Sequence, residues 1–454
     1  MQNIPVNKDD FLLLFLGSFW SKLDESLIPI SKDLRPQDKK KFLSDLYDEI
    51  EAKRYYPDLP RGYIVSDKHN RVSRIVPVFN HKDSCTYFFC IKQIESFIAI
   101  NRVTGTYGGW TLGNLMRAQE DQDVEYLPGA DDSPMAINSY NPIKWSDNWK
   151  DFQKKAYQYA NKGGYKYFLK FDIANFYDTI NLGVLENKIR FAVDKKQTFV
   201  VELLFHFLQN WNRQLERYSK KTVGIPQDEI GDCSRILANF YLQDYDAYMK
   251  SECDKHSATY LRYADDQIVM ANNKDVLYDI LFNASKELFK INLNLNSSKV
   301  SEFTADEFVT YWAFEIFQKL EDKENKVDIN QGVEMYFQWL DGNVNFKRDS
   351  VLKRIITVTS KNINILEPHL RYRLLTEMYK PDFVVTLNYW GLNHLAYMSE
   401  SPDALYKILD EQIESIRFNN FHYIVLRFYK KWRGDIYNFS LLENRIKDLS
   451  LVFV

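Results

Sequence analysis

Three aspartates stand where carboxylates are costly. In "FLKFDIANFYDTI", Asp172 sits among Phe168, Leu169, Phe171, Ile173 and Phe176, two residues after Lys170. Asp265 and Asp266 are adjacent in "YLRYADDQIVMA", between two apolar stretches. An ionised side chain in such surroundings calls for a partner or a metal. If the two stretches are neighbouring strands, the three carboxylates converge and repel one another. Hard Mg²⁺ ions with oxygen ligands are their natural neutralisers, and Mn²⁺ can take the same ligands. Two such ions about 3.5 to 4 Å apart clamp the attacking and leaving oxygens of an in-line phosphoryl displacement. The chemistry implied is nucleotidyl transfer. On its own, an Asp-Asp pair is also what a polar hairpin tip looks like.

Between these stretches lies "GIPQDEIGDCSRILANFYL", Gly224 to Leu242. It reads as a Gly-Pro turn and a helix with Ser234 as its cap and Ile236, Leu237, Phe240 and Tyr241 in the core. Placed there, the turn can cover an incoming nucleotide.

The elements that must position these groups follow from periodicity. "YLRY" and "IVMA" read as two strands joined by Ala264-Asp265-Asp266-Gln267, and strand alternation lets one aspartate face the site more directly than its neighbour. "NKDVLYDILFNASKELFK" puts Leu277, Ile280, Leu281, Ala284 and Leu288 on one helical face. Before Asp172, "NWKDFQKKAYQYANKG" predicts a helix ended by Gly163-Gly164, then a strand. Further upstream, "YIVSD", "RVSRIVPVF" and "TYFFCIKQI" predict strands, and the acidic stretch Gln119 to Pro134 a solvated surface loop. The chain to about residue 56 reads as helical, with Phe42, Leu43, Leu46 and Ile50 in helical register. From about Gln331 helices take over, one of them with Ser401 as N-cap and Pro402 at N1.

The segments "FDIANFYDTI", "GIPQ…SRILANFYL", "YADD" and "NLNLNSSKV" occur in the order and spacing of motifs A to D of reverse transcriptases, and "YWAFEIF" takes the place of the short strand that grips the primer. Over about Arg71 to Phe317 the chain resembles that family, most closely its bacterial abortive-infection and other defence-associated members. "SYNPIKWSDNWKDFQ" and a helical tail without a zinc segment favour that group over group II intron enzymes. The resemblance implies an α+β fold with right-hand fingers and palm, the palm sheet antiparallel, and an all-helical C-terminal domain. The expected divisions are a helical segment at 1–60, fingers at 61–165, palm at 166–320, and a thumb-like or helical-repeat domain at 321–454.

It also implies roles. Asp172 and Asp265 become the main metal ligands, Asp266 the supporting one, and the Ile173 carbonyl an extra ligand. Tyr177 matches the gate against a ribose 2′-hydroxyl, making dNTPs the substrates; core packing is its other reading. Gln227 matches a nucleotide-binding glutamine. Lys299 matches the lysine that protonates departing pyrophosphate, and Arg71 and Arg74 lie where fingers residues meet the triphosphate. The family's glycine after the motif B glutamine is replaced here by Asp228, leaving Gly231 for close backbone approach.

The implied partners are dNTPs, an RNA template such as a noncoding RNA, and the DNA product; self-association stays open, and a role in antiphage defence is expected. Untemplated or protein-primed synthesis at the same site is the alternative. A catalytically silent nucleic-acid scaffold is the reading from another class, opposed by the presence of all three aspartates.

Composition bounds these expectations. A chain of 454 residues with 45% apolar content can bury several cores. Its 59 basic and 62 acidic residues nearly cancel, so nucleic-acid binding must use a local basic groove. Cys85, Cys90, Cys233 and Cys253 have no zinc-site spacing and fit buried free thiols. "FLLLFLGSF" is too short to span a membrane and lacks a basic flank, so a buried helix and the cytoplasm are expected. Near the C-terminus, "RFYKKWRGD" interleaves basic and aromatic residues, either as a phosphate-and-base surface or as a solvated face over buried Phe428 and Trp432.

Overall fold

The computed structural model describes residues 4–15, 19–20, 23, 38–69, 72–99, 102–110, 112, 117–119, 122–125, 145–212, 219–227, 232–399, 402–434 and 438–450. They form two compact units, residues 1–63 with 76–303, and residues 64–75 with 304–454.

In the first unit, helices α1 (Lys8–Leu13) and α2 (Lys39–Glu51) start at side-chain caps, Asn7 and Asp38. Strands β1 (Gly62–His69) and β2 (Val72–Val78) form a two-stranded sheet whose outer part belongs to the second unit. Helix α3 (His81–Ala99) follows. It contains "TYFFCIKQI", which was expected to be a strand. Every residue from Cys85 to Ile91 is buried, with the helices over 198–210 and 232–241 both packed against it, so no amphipathic period marks it. Phe11, Phe15, Phe19, Phe88 and Phe89 interlock beside it at centroid distances of 4.5 to 5.6 Å.

Next come β3 (Thr106–Tyr107), β4 (Arg117–Gln119) and β5 (Gln122–Glu125). β4 and β5 pair antiparallel, so Gln119 and Gln122–Glu125 of the expected acidic loop are strand instead. Its residues 126–134 lie outside the described set. Helix α4 (Trp145–Lys162) ends where Gly164 takes φ +70°. Strand β6 (Tyr167–Asp172) then leads through a turn to α5 (Phe176–Thr179), α6 (Leu182–Ala192) and α7 (Thr198–Asn210). Helix α8 (Asp232–Tyr241) contains Ser234 in its first turn instead of at the cap; the Ser234 hydroxyl is buried against that of Tyr87, 2.8 Å away. Helix α9 (Gln243–Lys255), the hairpin β7 (Thr259–Tyr263) and β8 (Asp266–Ala271), α10 (Lys274–Lys290) and β9 (Ser301–Thr304) follow.

The main sheet has the order β3-β7-β8-β6-β9. β8 runs antiparallel to both β7 and β6, while β3 joins β7 in parallel. Leu277, Ile280, Ala284 and Leu288 of α10 are buried. All four cysteines are buried and none is disulfide-bonded.

The second unit is helical beyond its share of the β1–β2 hairpin: α11 (Ala305–Tyr311), α12 (Phe314–Lys319), α13 (Lys326–Asp341), α14 (Arg348–Thr359), α15 (Pro368–Met378), α16 (Pro381–Val384), α17 (Tyr389–Met398), α18 (Asp403–Ile413), α19 (Asn419–Trp432) and α20 (Ser440–Ser450). "YWAFEIF" is helix, turn and helix here, not a strand. Thr304 and Glu307 form a capping box that starts α11, and Ala313 turns the chain at φ 53°. Pro402 stands at the N-cap of α18, not at N1, and Ser401 lies outside the described residues. The Val65 N–H donates to Asn419 Oδ1 at 2.8 Å, tying hairpin to helix inside this unit. The architecture is α+β, with a largely antiparallel sheet followed by a helical C-terminal region. No helix among the described residues is long and apolar enough to cross a membrane.

Candidate active site

Strand register assembles the aspartates. Asp172, the last residue of β6, lies directly opposite Asp266, the first residue of β8. Directly paired residues present their side chains on one face, roughly 5 Å apart at Cβ. Tyr263 is opposite Asp266 on the other side, so Ala264 and Asp265 form a two-residue hairpin loop. Ala264 holds φ at 52°, as the first loop position of a primed turn requires.

Two lysines meet the carboxylates. Lys170, two residues before Asp172 and on the same strand face, pairs with Asp266 Oδ1 at 2.7 Å. Lys299 pairs with Asp172 Oδ2. Burial alone would lower the Lys299 ammonium, but its hydrogen bond to Asp172 and the surrounding carboxylate charge hold it above its usual pKa. The other Asp172 oxygen, Oδ1, is buried without a hydrogen-bond partner. Burial first, then the charges of Asp172 and Asp266, pushes Asp265 up to about 7.

Among the described residues no group of three His, Cys, Asp or Glu side chains is arranged to hold a metal ion. The expected convergence of three carboxylates is modified by lysine: Asp266 is turned onto Lys170, while Asp265 and Asp172 press on each other electrostatically. The donor set still fits a hard cation. An unpartnered buried carboxylate oxygen beside a carboxylate forced toward its protonated form is an environment short of positive charge. Ile173 adds an oxygen. The Asn296 N–H donates to the Asp172 carbonyl and the Ala174 N–H to the Asn294 carbonyl, both at 2.8 Å. These bonds flank the Ile173–Leu295 bridge, so the Ile173 carbonyl points the other way, to the β8 side.

The turn after Asp172 meets the Gly224 loop. The Ile225 N–H donates to the Tyr177 carbonyl at 2.9 Å, and the Gly224 N–H to that of Ile180 at 2.7 Å. Gly224 has φ +89°, and a Cβ there would stand 3.1 Å from the Asp178 carbonyl oxygen. Half-buried Gln227 is thereby carried past the α5 turn that bears Tyr177, itself half-buried. Arg71, Asp228 and Gly231 lie outside the described residues. Arg74 is exposed on β2, in the second unit.

The sequence reading passed over two sets of residues. Lys170 was legible as a strand-mate of Asp172 at a spacing of two. Asp246 was not: it lies on α9 with no local mark, yet it receives Arg262 below the hairpin.

Residues 125–328 match the family described as reverse transcriptase (RNA-dependent DNA polymerase). Among solved structures, the chain is similar to a truncated apo telomerase from Candida tropicalis, with 17% identity, 36% of each chain covered and a TM-score of 0.27. It thus spans about a third of that protein. The apo telomerase of Candida tropicalis matches at 11% identity over 95% of this chain and 74% of its own, TM-score 0.36. Telomerase from Candida albicans, in complex with a fragment of telomeric RNA, matches at 11% identity over 92% of this chain and 72% of its own, TM-score 0.37. The family match takes in strands β6 to β9, and with them Asp172, Asp265 and Asp266, so this part of the chain is similar to a reverse transcriptase domain.

Proposed function

We propose that this chain copies RNA into DNA from dNTPs at the Asp172–Asp265–Asp266 cluster with two Mg²⁺ ions, Mn²⁺ being able to substitute. The register of Asp172 against Asp266, with Asp265 at the adjoining turn, carries the reading. Asp172, Asp265 and the Ile173 carbonyl would hold the ions. When bound, the ions supply Lewis acidity to the attacking 3′-hydroxyl and charge neutralisation to the leaving pyrophosphate.

The protein's own groups do the rest. Asp266, fixed by Lys170, supports the cluster and keeps the hairpin in register with β6. Lys299 stays protonated at neutral pH, its ammonium held above its usual range by Asp172 against the effect of burial, and it is the acid for the leaving pyrophosphate. Tyr177 excludes a ribose 2′-hydroxyl, and Gln227, held through Ile225, contacts the incoming nucleotide. Arg71 and Arg74 are assigned to the triphosphate by resemblance. The same resemblance supports a defence-associated enzyme with a dedicated noncoding RNA as template.

Replacing Asp265 and Asp266 together by Asn is expected to abolish dNTP incorporation while the protein stays folded by circular dichroism. Undiminished incorporation would overturn the assignment. Sequencing the RNA that copurifies tests the template, and incorporation that survives removal of that RNA would replace templated by untemplated synthesis.

A further inference from the structure

The basic and aromatic residues of "RFYKKWRGD" separate in the fold. Phe428 and Tyr429 are fully buried, and the half-buried Trp432 donates its indole N–H to Asn393 Oδ1 at 2.9 Å. These rings are therefore not a base-stacking surface. The exposed rings come from the neighbouring helix α17, where Trp390 is 65% and Tyr397 58% exposed. Seven residues apart, they share one helix face about 10 Å from each other. His394 lies between them.

A row of cations borders this row of rings. Arg427 stacks over Tyr389, 4.1 Å from the ring centroid, and Tyr389 is the ring neighbour of Trp390. One turn on, Lys431 donates to the Tyr397 hydroxyl at 2.8 Å. Carboxylates hold the other two basic residues of the segment, Glu443 at Lys430 and Asp410 at Arg433, whereas Arg427 and Lys431 are turned to rings. Neither α17 nor α19 contains an acidic residue. The positive field extends further: besides burial, the charges of Lys323, Lys361 and Lys431 lower the pKa of His394.

Two exposed rings on one face, flanked by cations without interleaved carboxylates, suit a strand that offers bases and phosphates together. We propose that the α17–α19 face binds single-stranded RNA, its bases stacking on Trp390 and Tyr397 and its phosphates meeting Arg427, Lys431, Lys361 and Lys323. The choice of RNA rests on the polymerase reading, because an RNA-directed enzyme must hold unpaired template whereas its DNA product forms paired. The surface itself does not depend on that reading.

The test uses the full chain and fluorescent oligo(rU), oligo(dT) and duplex RNA of equal length, with anisotropy titrations over a range of salt. Trp390→Ala with Tyr397→Ala should weaken oligo(rU) binding about tenfold or more. Arg427→Glu with Lys431→Glu should weaken it and flatten its salt dependence. In the unsubstituted protein, 4-thiouridine in the oligomer should crosslink to the peptide spanning Trp390 and Tyr397. Unchanged oligo(rU) affinity in both double variants, or crosslinks confined to other peptides, would overturn the proposal. Loss of oligo(dT) binding with oligo(rU) binding intact would overturn the choice of RNA. Asp265→Asn separates the two readings: it should lose incorporation and keep the crosslink, and undiminished incorporation there would overturn the polymerase assignment alone.

Discussion

Arg262 and Asp246 form a two-point ion pair beneath the β7–β8 hairpin, Nε to Oδ1 at 2.7 Å and Nη2 to Oδ2 at 2.5 Å, with both side chains wholly buried. The remaining nitrogen, Nη1, donates to the Ala264 carbonyl at 2.7 Å and to Asn239 Oδ1 at 2.9 Å. A buried pair of this kind adds little net stability, because desolvation offsets the attraction. Its effect is on shape: it holds the carbonyl of the one residue whose positive φ aims Asp265.

Asp246→Ala would leave Arg262 buried without its counter-charge, at a cost of about 3–5 kcal/mol, readable from urea unfolding. Arg262→Lys keeps the charge but cannot reach Asp246, Asn239 and Ala264 at once. It should lower the rate of nucleotide incorporation more than it alters the dNTP KM. Equal stability and equal rate in both variants would remove Arg262 as the support of the turn.

Lys170 competes with cations for Asp266. Lys170→Met keeps the stem and removes the charge, so the cluster becomes more negative and should bind Mn²⁺ roughly tenfold more tightly at pH 8, judged from unit charges a few ångströms apart near a surface. Paramagnetic titration of nucleic-acid-free protein measures this directly. Unaltered Mn²⁺ affinity would show that the Lys170–Asp266 pair exerts no control over the cluster.

The carboxylate cluster was legible in the sequence because apolar flanks mark each piece: Asp172 ends an apolar strand, and Asp265 and Asp266 sit at the tip of a hairpin; the two-residue length of that turn and the pairing of Asp172 with Asp266 come from the sheet register instead. What lay hidden was settled by packing. "TYFFCIKQI" looked like a strand because its rings and β-branched residues suit one, yet burial on several sides made it helix α3. "YWAFEIF" became helical because Thr304 and Glu307, just upstream, nucleate α11. Asp246 is separated by 16 residues from Arg262, and no periodicity links a helix carboxylate to a strand cation.

Gly224 tests the proposed nucleotide-binding role of its loop. Gly224→Ala places a side chain at φ +89° and a Cβ 3.1 Å from the Asp178 carbonyl oxygen. The left-handed conformation alone costs about 1–2 kcal/mol. Relief of that strain would shift the Ile225–Tyr177 hydrogen bond and with it Gln227. The expected outcome is a raised dNTP KM with a smaller change in kcat, and a fall in stability of that size by urea unfolding. A variant kinetically identical to the parent would separate this loop from nucleotide binding.

Asp83 makes stability depend on pH. It is wholly buried at the start of α3, accepting from the Tyr55 hydroxyl at 2.8 Å, the Asp58 N–H at 3.0 Å and Asn80 Nδ2 at 3.1 Å. Burial raises its pKa from 3.8 to about 7 against the opposing Tyr55 hydrogen bond, with the Asp58 charge adding to the rise. The native state therefore binds the proton more tightly than the unfolded chain does. The stabilisation is fully present below about pH 4, shrinks as pH climbs toward 7, and is gone above it. Three pKa units set an upper scale of about 4 kcal/mol. The urea midpoint should fall between pH 4.5 and 7.5, and Asp83→Asn should flatten that fall because an amide does not ionise. His422, whose pKa burial lowers, works in the opposite sense, so the difference between parent and Asp83→Asn is the quantity to measure. Parallel pH profiles for the two proteins would show that Asp83 remains an ionised carboxylate in the core.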